Sequence, residues 1–553
     1  MNSISRHAAV LMVIVFCRPG LAAAQTGTVR SASGGYSVSG TVVSKIDGHP
    51  LARTRVSLYD AKNPRKFESL VTAEDGKFVF NGVPVGKYNL RGSKRGFISA
   101  SYDQHEQFST AIVTGAEVES EGLVLRLSPA GVIAGKVLDE AGDPVRHANV
   151  TLFLDDHSSG VDQIRRARID QTDDQGAFEF ALLSPGTYFV SASAKPWYAV
   201  HQHADLSNSG TDLQPTGASS DRSLDVAYPL TYYADVTDAD SATPIPVRGG
   251  DRLQVDIHLN PVPSIHLLFR VPNHGNNSFT FPQLEQPSFD GSTSVPSEGG
   301  RIISPGVVEV TGVPAGRYDI RLTGPGRITR LNDVDLTKDG EEIDTSGGEA
   351  LSAVKVSVQF PGQSVPSNPP WIALRGQHRV PIGARRPDAK GDAEFQQVPA
   401  GRYELLIWGS NRRYSISHVS AENAQVSGNS ITLAAGSTAT VSMTLVEGSI
   451  NVEGVVKRAG KGVSGAMVVL VPKNPEGNRD LFRRDQSDLD GTFRLQNVIP
   501  GSYTVLAIEN GWDLDWSQPG VITAYAARGR AIQVAAQFGQ DMTVPDPVEV
   551  QSK

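Results

Sequence analysis

Hydrophobic and polar residues alternate over many short segments of the chain. Phe78 and Phe80 lie two residues apart in one such segment, and Tyr88 and Leu90 keep the same interval in the next. Successive side chains of a β-strand point to opposite faces, so a period of two predicts strands with one buried face. No segment keeps an amphipathic helical pattern over three turns. The pattern therefore predicts an all-β protein.

The alternating segment recurs five times along the chain. Each copy begins at a glycine, has a second glycine ten residues later and has a tyrosine twelve residues later. The first glycines are Gly76, Gly176, Gly306, Gly391 and Gly491. The tyrosines are Tyr88, Tyr188, Tyr318, Tyr403 and Tyr503, and their register on the inner strand face predicts that they are buried. Such a repeat predicts one structural unit used five times.

Turn residues separate the two strands of each copy. A proline stands eight or nine residues after the first glycine, at Pro84, Pro185, Pro314, Pro399 and Pro500. Proline fixes φ and glycine reaches positive φ, so the pair predicts a tight turn. A strand, loop and strand precede this unit in copies one, two and five. Each module should then hold about seven short strands, which is typical of an antiparallel β-sandwich.

Three copies resemble a known domain family over most of their length. The segments from Gly40 to Tyr88, Gly135 to Tyr188 and Gly454 to Tyr503 resemble the carboxypeptidase regulatory-like domain, whose fold is transthyretin-like. Copies three and four match only in their second halves. The resemblance implies modules without catalytic activity. The same broad fold class includes carbohydrate-binding domains, so it also implies that sugar binding is compatible with the fold.

These patterns predict a tandem array of five Ig-like, prealbumin-like sandwiches. We expect an elongated chain in which each module contacts mainly its neighbours. The predicted boundaries are a signal peptide at 1–24, a linker at 25–36, module 1 at 37–128, module 2 with a long loop insertion at 129–262, a degenerate module 3 at 263–347, a degenerate module 4 at 348–448, module 5 at 449–545 and a C-terminal tail at 546–553.

The first residues have the composition of an export signal. A short apolar run from Ala8 to Phe16 is followed by Ala22, Ala23 and Ala24, which form a small-residue cleavage site. Lipidation of Cys17, the single cysteine, is the alternative, but the bulky residues before it fit that pattern poorly. We therefore expect an exported protein, periplasmic or extracellular, without disulfides and without a membrane span after signal removal.

Net charge and the absence of known motifs argue against several classes of function. The net charge of −8, without basic blocks, argues against nucleic acid as a partner. The sequence contains no H-x-x-E zinc pair, H-E-x-x-H, G-x-S-x-G or P-loop motif. We therefore predict a non-catalytic surface or envelope protein that scaffolds or binds, with polysaccharide or another envelope protein as its partner. A carbohydrate-binding protein is the alternative, followed by an accessory component of a secreted hydrolase or an unrecognised hydrolase.

Aromatic residues in loops are the candidate binding residues. Trp197 and Trp512 both stand nine residues after a repeated tyrosine, and Tyr198 and Trp516 lie beside them. An exposed ring could stack on the apolar face of a sugar; the alternative is a ring that fills the end of its own core or a joint between modules.

A histidine-rich segment offers a weaker possibility. His201, His203 and Asp205 form an H-x-H group with a nearby acid, which is a weak indication of a metal site. We predict no metal and no cofactor.

Overall fold

Strands dominate the structure. The computed structural model describes residues 35–553 except 117, 202–220, 272–280, 298–299, 325–326, 346–348, 363, 377–380, 411–413 and 477. The signal peptide, most of the predicted linker, His203 and Asp205 lie outside the described residues. Within the described part, no helix has the length and apolar character needed to cross a membrane.

Module 1 is a sandwich of two sheets ordered β4-β1-β8 and β3-β2-β5-β6, with β7 also paired to β5. Its strands are β1 Tyr36–Ser44, β2 Arg55–Asp60, β3 Phe67–Val71, β4 Lys77–Val83, β5 Gly86–Ser93, β6 Ala100–Ser101, β7 Ile112–Thr114 and β8 Leu123–Leu127.

Module 2 repeats this arrangement with sheets β12-β9-β17 and β11-β10-β13-β15; β18 pairs with β9, and β16 with β13. Its strands are β9 Gly131–Leu138, β10 Asn149–Asp156, β11 Gln163–Gln171, β12 Ala177–Leu183, β13 Gly186–Ser193, β14 Val226–Ala227, β15 Thr231–Tyr232, β16 Ile245–Val247, β17 Arg252–Gln254 and β18 Ile257–His258. Two 3₁₀ turns, Arg222–Leu224 and Ala239–Ser241, lie in its long insertion.

Module 3 has the sheets β14-β19-β23-β22, with β26 on β19, and β21-β20-β24-β25-β27. Strand β14 of module 2 thus extends a sheet of module 3. The strands are β19 Val262–Arg270, β20 Gln283–Ser288, β21 Gly291–Ser294, β22 Arg301–Ser304, β23 Val307–Pro314, β24 Gly316–Gly324, β25 Arg327–Leu336, β26 Glu341–Asp344 and β27 Glu349–Ala350.

Module 4 has the sheets β31-β28-β36-β33 and β30-β29-β32-β35-β34. Its strands are β28 Ser352–Gln359, β29 Trp371–Arg375, β30 Pro381–Arg385, β31 Asp392–Val398, β32 Gly401–Trp408, β33 Tyr414–Glu422, β34 Ala424–Ser427, β35 Ser430–Leu433 and β36 Thr438–Glu447.

Module 5 is joined into one sheet by its last strand, β45, which pairs with both β37 and β42. Its elements are β37 Asn451–Arg458, β38 Lys461–Gly462, β39 Met467–Pro472, β40 Arg483–Gln486, β41 Thr492–Leu495, β42 Gly501–Glu509, β43 Arg530–Val534, β44 Asp541–Thr543, β45 Val548–Ser552, the helix α1 Pro519–Ala526 and the 3₁₀ turns Arg479–Leu481 and Gly511–Asp513. The expectation of a C-terminal tail at 546–553 was wrong, because Val548–Ser552 forms a strand that completes the module.

The first strand has the same two kinds of partner strand in all five modules. The first strand pairs antiparallel with the strand that follows the repeated glycine, as β1 does with β4. On its other side it pairs parallel with a strand near the end of the module, as β1 does with β8. The tandem β-sandwich prediction is confirmed, and it holds for modules 3 and 4 although their first halves show little sequence similarity. This parallel pair departs from the all-antiparallel sandwich that the sequence predicted, and in module 5 the parallel pair of β42 and β45 departs from it as well.

The parallel pair explains the glycine in the first strand of modules 1 and 2. A Cβ atom on Gly40 would lie 2.1 Å from the carbonyl oxygen of Leu123, and one on Gly135 would lie 1.8 Å from that of Val255. Neither distance can accommodate a side chain, so these positions require glycine for the close approach of the last strand.

The repeated tyrosines are core residues. All five are buried, and each hydroxyl donates a hydrogen bond of 2.6–3.1 Å to the carbonyl oxygen four residues earlier. The tyrosines are Tyr88, Tyr188, Tyr318, Tyr403 and Tyr503. The hydroxyl satisfies a turn carbonyl while the ring fills the core, which confirms the predicted strand register.

The expectation of an elongated array was wrong, because module 5 packs against modules 1 and 2. The side chain of Gln486 donates to Thr110 Oγ1 at 2.8 Å, and the amide of Ala111 donates to Asp488 Oδ1 at 3.0 Å. Arg484 reaches further, donating to Glu106 of module 1 and to the carbonyl oxygen of Ser158 in module 2 at 3.0 Å. The chain therefore folds back on itself.

Candidate functional site

Trp197 lies on the surface of module 2, in the segment that follows β13. The residue is 88% exposed, the largest fraction among the exposed large hydrophobic residues of the described chain. Tyr198 meets its ring edge to face, with centroids 5.9 Å apart. A large ring held open to solvent provides an apolar face for stacking, and sugar binding by this residue stays a prediction.

Glu140 anchors the aromatic residues beside Trp197. The Tyr198 hydroxyl donates to Glu140 Oε1 at 2.5 Å, and the buried Tyr228 donates to Oε2 at 2.9 Å. Burial acts to raise the pKa of Glu140, but these hydrogen bonds outweigh it and leave the pKa lowered. Burial and the bond to Glu140 raise the pKa of Tyr198 to about 12. An ionised carboxylate and neutral phenols therefore hold this loop in place beside the open ring.

Trp512 lies in the joint between modules 5 and 1. Its ring stacks on His105 with centroids 4.9 Å apart and planes inclined by 5°, and it also contacts Phe108. Its indole Nε1 donates to the carbonyl oxygen of Gly465 at 3.2 Å. The structure corrects the sugar-platform expectation for Trp512, because the ring packs within the protein.

Trp516 has a similar position at the contact of modules 5 and 2. The guanidinium of Arg484 lies 4.1 Å from its ring centroid, and Phe482 packs 5.8 Å away. A Cβ atom on Gly160 of module 2 would lie 2.5 Å from the indole, so glycine permits the close contact. Trp516 therefore fills a joint between two modules, which was the alternative interpretation, and the sugar-platform expectation is corrected for this residue too.

His201 forms part of the joint between modules 2 and 3. Its Nδ1 lies 2.8 Å from Asp225 Oδ1 and 3.4 Å from Ser264 Oγ. In a catalytic triad the serine and the acid meet opposite ring nitrogens of the histidine, whereas here both meet Nδ1. These three residues therefore lack the geometry of a nucleophilic triad.

The same carboxylate binds a second histidine. Asp225 Oδ2 lies 2.8 Å from His266 Nε2. Burial acts to raise the pKa of Asp225, but hydrogen bonds from His201, His266 and Ser264 outweigh it and hold the pKa below its ordinary value. The hydrogen bond to Asp225 raises the pKa of His266. The carboxylate of Asp225 and the imidazole of His266 thus form an ion pair that joins modules 2 and 3.

One group of described residues has ligand atoms close enough to hold a metal ion. His157, Asp162 and Asp515 bring these atoms within 4.8 Å of one another at the contact of modules 2 and 5. His157 Nδ1 already forms an ion pair with Asp162. The predicted absence of a metal stays a prediction, and the sequence pattern did not indicate this group because Asp515 is remote in the chain.

Comparisons with known proteins agree with the fold. Residues 37–118 and 132–216 match the carboxypeptidase regulatory-like domain, which confirms the resemblance for modules 1 and 2. Residues 448–526 match the second beta sandwich domain described as BOS complex subunit NOMO1-like. A search of the curated proteins finds no match.

Solved structures with matching parts include a minor pilin and the repeat units of a collagen binding protein. The Bacillus anthracis TIE protein is 12% identical, with 74% of this chain and 73% of that chain covered and a TM-score of 0.17. The minor pilin GBS52 of Streptococcus agalactiae is 15% identical, with 41% and 97% covered and a TM-score of 0.20. Two B repeat units of the Staphylococcus aureus collagen binding protein are 11% identical, with 74% and 99% covered and a TM-score of 0.12.

Proposed function

We propose that this chain, whose first two modules match the carboxypeptidase regulatory-like domain, is an exported, non-catalytic scaffold that binds a carbohydrate polymer through Trp197. The exposure of Trp197 carries the proposal. A ring of this size normally buries its area, and Trp512, at the same repeat position, does so against His105. Trp197 instead lies open beside a loop fixed by Glu140.

The surroundings of Trp197 suit a sugar. The ring offers an apolar face, and Tyr198 and Glu140 add polar atoms at its side. Pyranose rings present an apolar face bordered by hydroxyl groups, so the two kinds of surface match. One stacked ring contributes about 1 to 2 kcal/mol, so a single site should bind weakly and profit from several contacts on one polymer.

Retention on insoluble polysaccharides tests this proposal. We expect the mature chain to be retained by at least one of cellulose, chitin, starch or peptidoglycan, and Trp197→Ala to weaken retention about 5- to 30-fold, which corresponds to about 1 to 2 kcal/mol. Ile169→Ala is the control, since Ile169 is also an exposed hydrophobic residue of module 2 but lies on the edge strand β11. The melting temperature should not change in either variant.

Carbohydrate binding and export, the two parts of the proposal, can be contradicted separately. Equal retention of the wild type and Trp197→Ala, or no retention on any polymer, would remove carbohydrate binding and leave an envelope protein as the partner. Export is tested by N-terminal sequencing of secreted material, which should begin at Gln25. A lipid on Cys17 would contradict the predicted cleavage.

A further inference from the structure

The fold-back of module 5 creates a polar cleft of about 600 Å³ against module 1. Tyr59, Asn89 and Arg91 line it from module 1. Tyr59 pairs with Asn89 across β2 and β5, and the alternation of the strands places all three on the outer face of the sheet. Module 5 supplies the opposite wall, chiefly through Arg484, Arg494 and Gln496.

The same sheet face is used differently in modules 2 and 5. In module 2, Phe153 and Phe189 occupy the positions of Tyr59 and Asn89, and Phe289 of module 3 packs on them at 5.0 and 4.9 Å. In module 5, Leu506 occupies the position of Arg91 and is fully buried in a cluster with Ile522 of α1. Module 1 has a tyrosine, an asparagine and an arginine at these three positions, and this polar face borders the cleft.

The cleft concentrates positive charge in an acidic protein. Three arginines line it, although the whole chain has a net charge of −8. Arg484 pairs with Glu106, and Arg494 pairs with Glu453 and Asp541. Arg91 is exposed and has no ion-pair partner among the residues that the structure describes. Its guanidinium is therefore the group available to an anionic ligand.

Asp485 is the acid that lines the cleft. Burial raises its pKa to about 7, although backbone amides of Arg494 and Gln486 donate hydrogen bonds to it. Near neutral pH a substantial fraction of this carboxyl group is protonated, so it opposes the arginines only in part.

We infer that this cleft binds an acidic saccharide, with the carboxylate of a uronic acid held by Arg91. A planar guanidinium forms two parallel hydrogen bonds with a carboxylate. The amide groups of Asn89 and Gln496 donate and accept hydrogen bonds as sugar hydroxyls require, and Tyr59 supplies a ring. Phe67 stacks on Tyr59 at 5.3 Å and holds its orientation. The mixture of amides, a ring and a free guanidinium favours a sugar acid over an acidic peptide, which would expose its backbone and apolar side chains to polar walls.

Isothermal titration of the mature full-length chain with trigalacturonate tests the inference. We expect binding that Arg91→Gln weakens about tenfold or more and that 1 M salt suppresses, because the contact is a charged hydrogen bond at an exposed site. Arg95→Gln is the matched control, since Arg95 is exposed in the turn that follows β5 and does not line the cleft. A neutral trisaccharide, maltotriose, should not compete.

Three outcomes would overturn the inference: no binding of trigalacturonate, equal affinity for the wild type and Arg91→Gln, or equal competition by an oligoglutamate peptide or inorganic phosphate. The last would mark a general anion site. Trp197→Ala distinguishes this cleft from the proposed polymer site, because it should leave trigalacturonate binding unchanged. Loss of binding in Trp197→Ala with retention in Arg91→Gln would assign the acidic sugar to Trp197 instead.

Discussion

Trp512 of module 5 lies parallel to the imidazole of His105 in module 1, with the ring centroids 4.9 Å apart. The contact joins the last module to the first. Arg484 extends it, because its guanidinium lies 4.1 Å from the ring of Trp516 and donates to Glu106. Stacked rings and a desolvated ion pair in one joint favour a fixed arrangement over five freely moving modules.

Trp512→Ala should release module 5. The substitution removes the stack on His105 and the hydrogen bond to Gly465. Because the ring is half-buried, we expect the free energy of unfolding to fall by about 2 to 3 kcal/mol, less than for a fully buried tryptophan. Calorimetry should show a lower transition for module 5. Trp197→Ala is the control, with the same chemical change at a residue that is 88% exposed, and it should melt like the wild type. Equal melting temperatures of the two variants would contradict the joint.

Tyr188→Ala should destabilise module 2 by about 3 to 5 kcal/mol, since it empties a core position. Tyr188→Phe keeps the ring and removes only the hydrogen bond to Ser184, so it should cost about 1 kcal/mol. Denaturant unfolding of the two variants measures both values. A loss of under about 1 kcal/mol for the alanine variant would be incompatible with a buried ring.

Gly40→Ala should disrupt the parallel pairing of β1 and β8. The new methyl group would lie 2.1 Å from the carbonyl oxygen of Leu123, and the backbone cannot move aside without losing strand pairing, so we expect a cost of about 3 kcal/mol or more. Gly115→Ala in the same module is the control, because no heavy atom lies within 4 Å of its added methyl group. The measurement is thermal unfolding of the two variants. Similar stability of both would contradict the close approach of β8 to Gly40.

The stability of the joint between modules 2 and 3 should fall both at high pH and at low pH. The raised pKa of His266 gives a stabilisation that is complete below the ordinary histidine pKa of about 6.5 and is lost as pH rises through the raised value. The lowered pKa of Asp225 gives a stabilisation present above about 3.9 and lost as pH falls through the lowered value. The pair should therefore contribute most between about pH 4 and 6.5.

His266→Gln tests this dependence. Asp339 and Glu309 also act to raise the pKa of His266, so the histidine is the group to remove. We expect the variant to be less stable at pH 5 and to lose less stability than the wild type between pH 6 and 8. The measurement is the unfolding midpoint of modules 2 and 3 across pH. Parallel profiles for the two proteins would show that His266 does not titrate with folding.

The sequence by itself determined most of the strands, the turns between them and the number of repeats. These features follow from local chemistry: a period of two, a proline and glycine at the turn, and a tyrosine whose hydroxyl bonds a carbonyl only four residues away, as in Tyr188. Such short-range constraints recur in every copy and so can be counted along the chain. Strand β45 was missed because a five-residue segment such as Val548–Ser552 carries too little periodicity to distinguish a strand from a tail.

Only the tertiary structure decided what the repeated positions face. Phe97, Trp197 and Trp512 hold the same place in three modules, yet the first packs on its own core, the second is exposed and the third stacks on another module. Likewise Arg91 and Leu506 are equivalent, but one lines an open cleft and the other is buried. The environment of a surface position depends on which module packs against it, and that contact joins residues too distant in the chain for any local pattern to record.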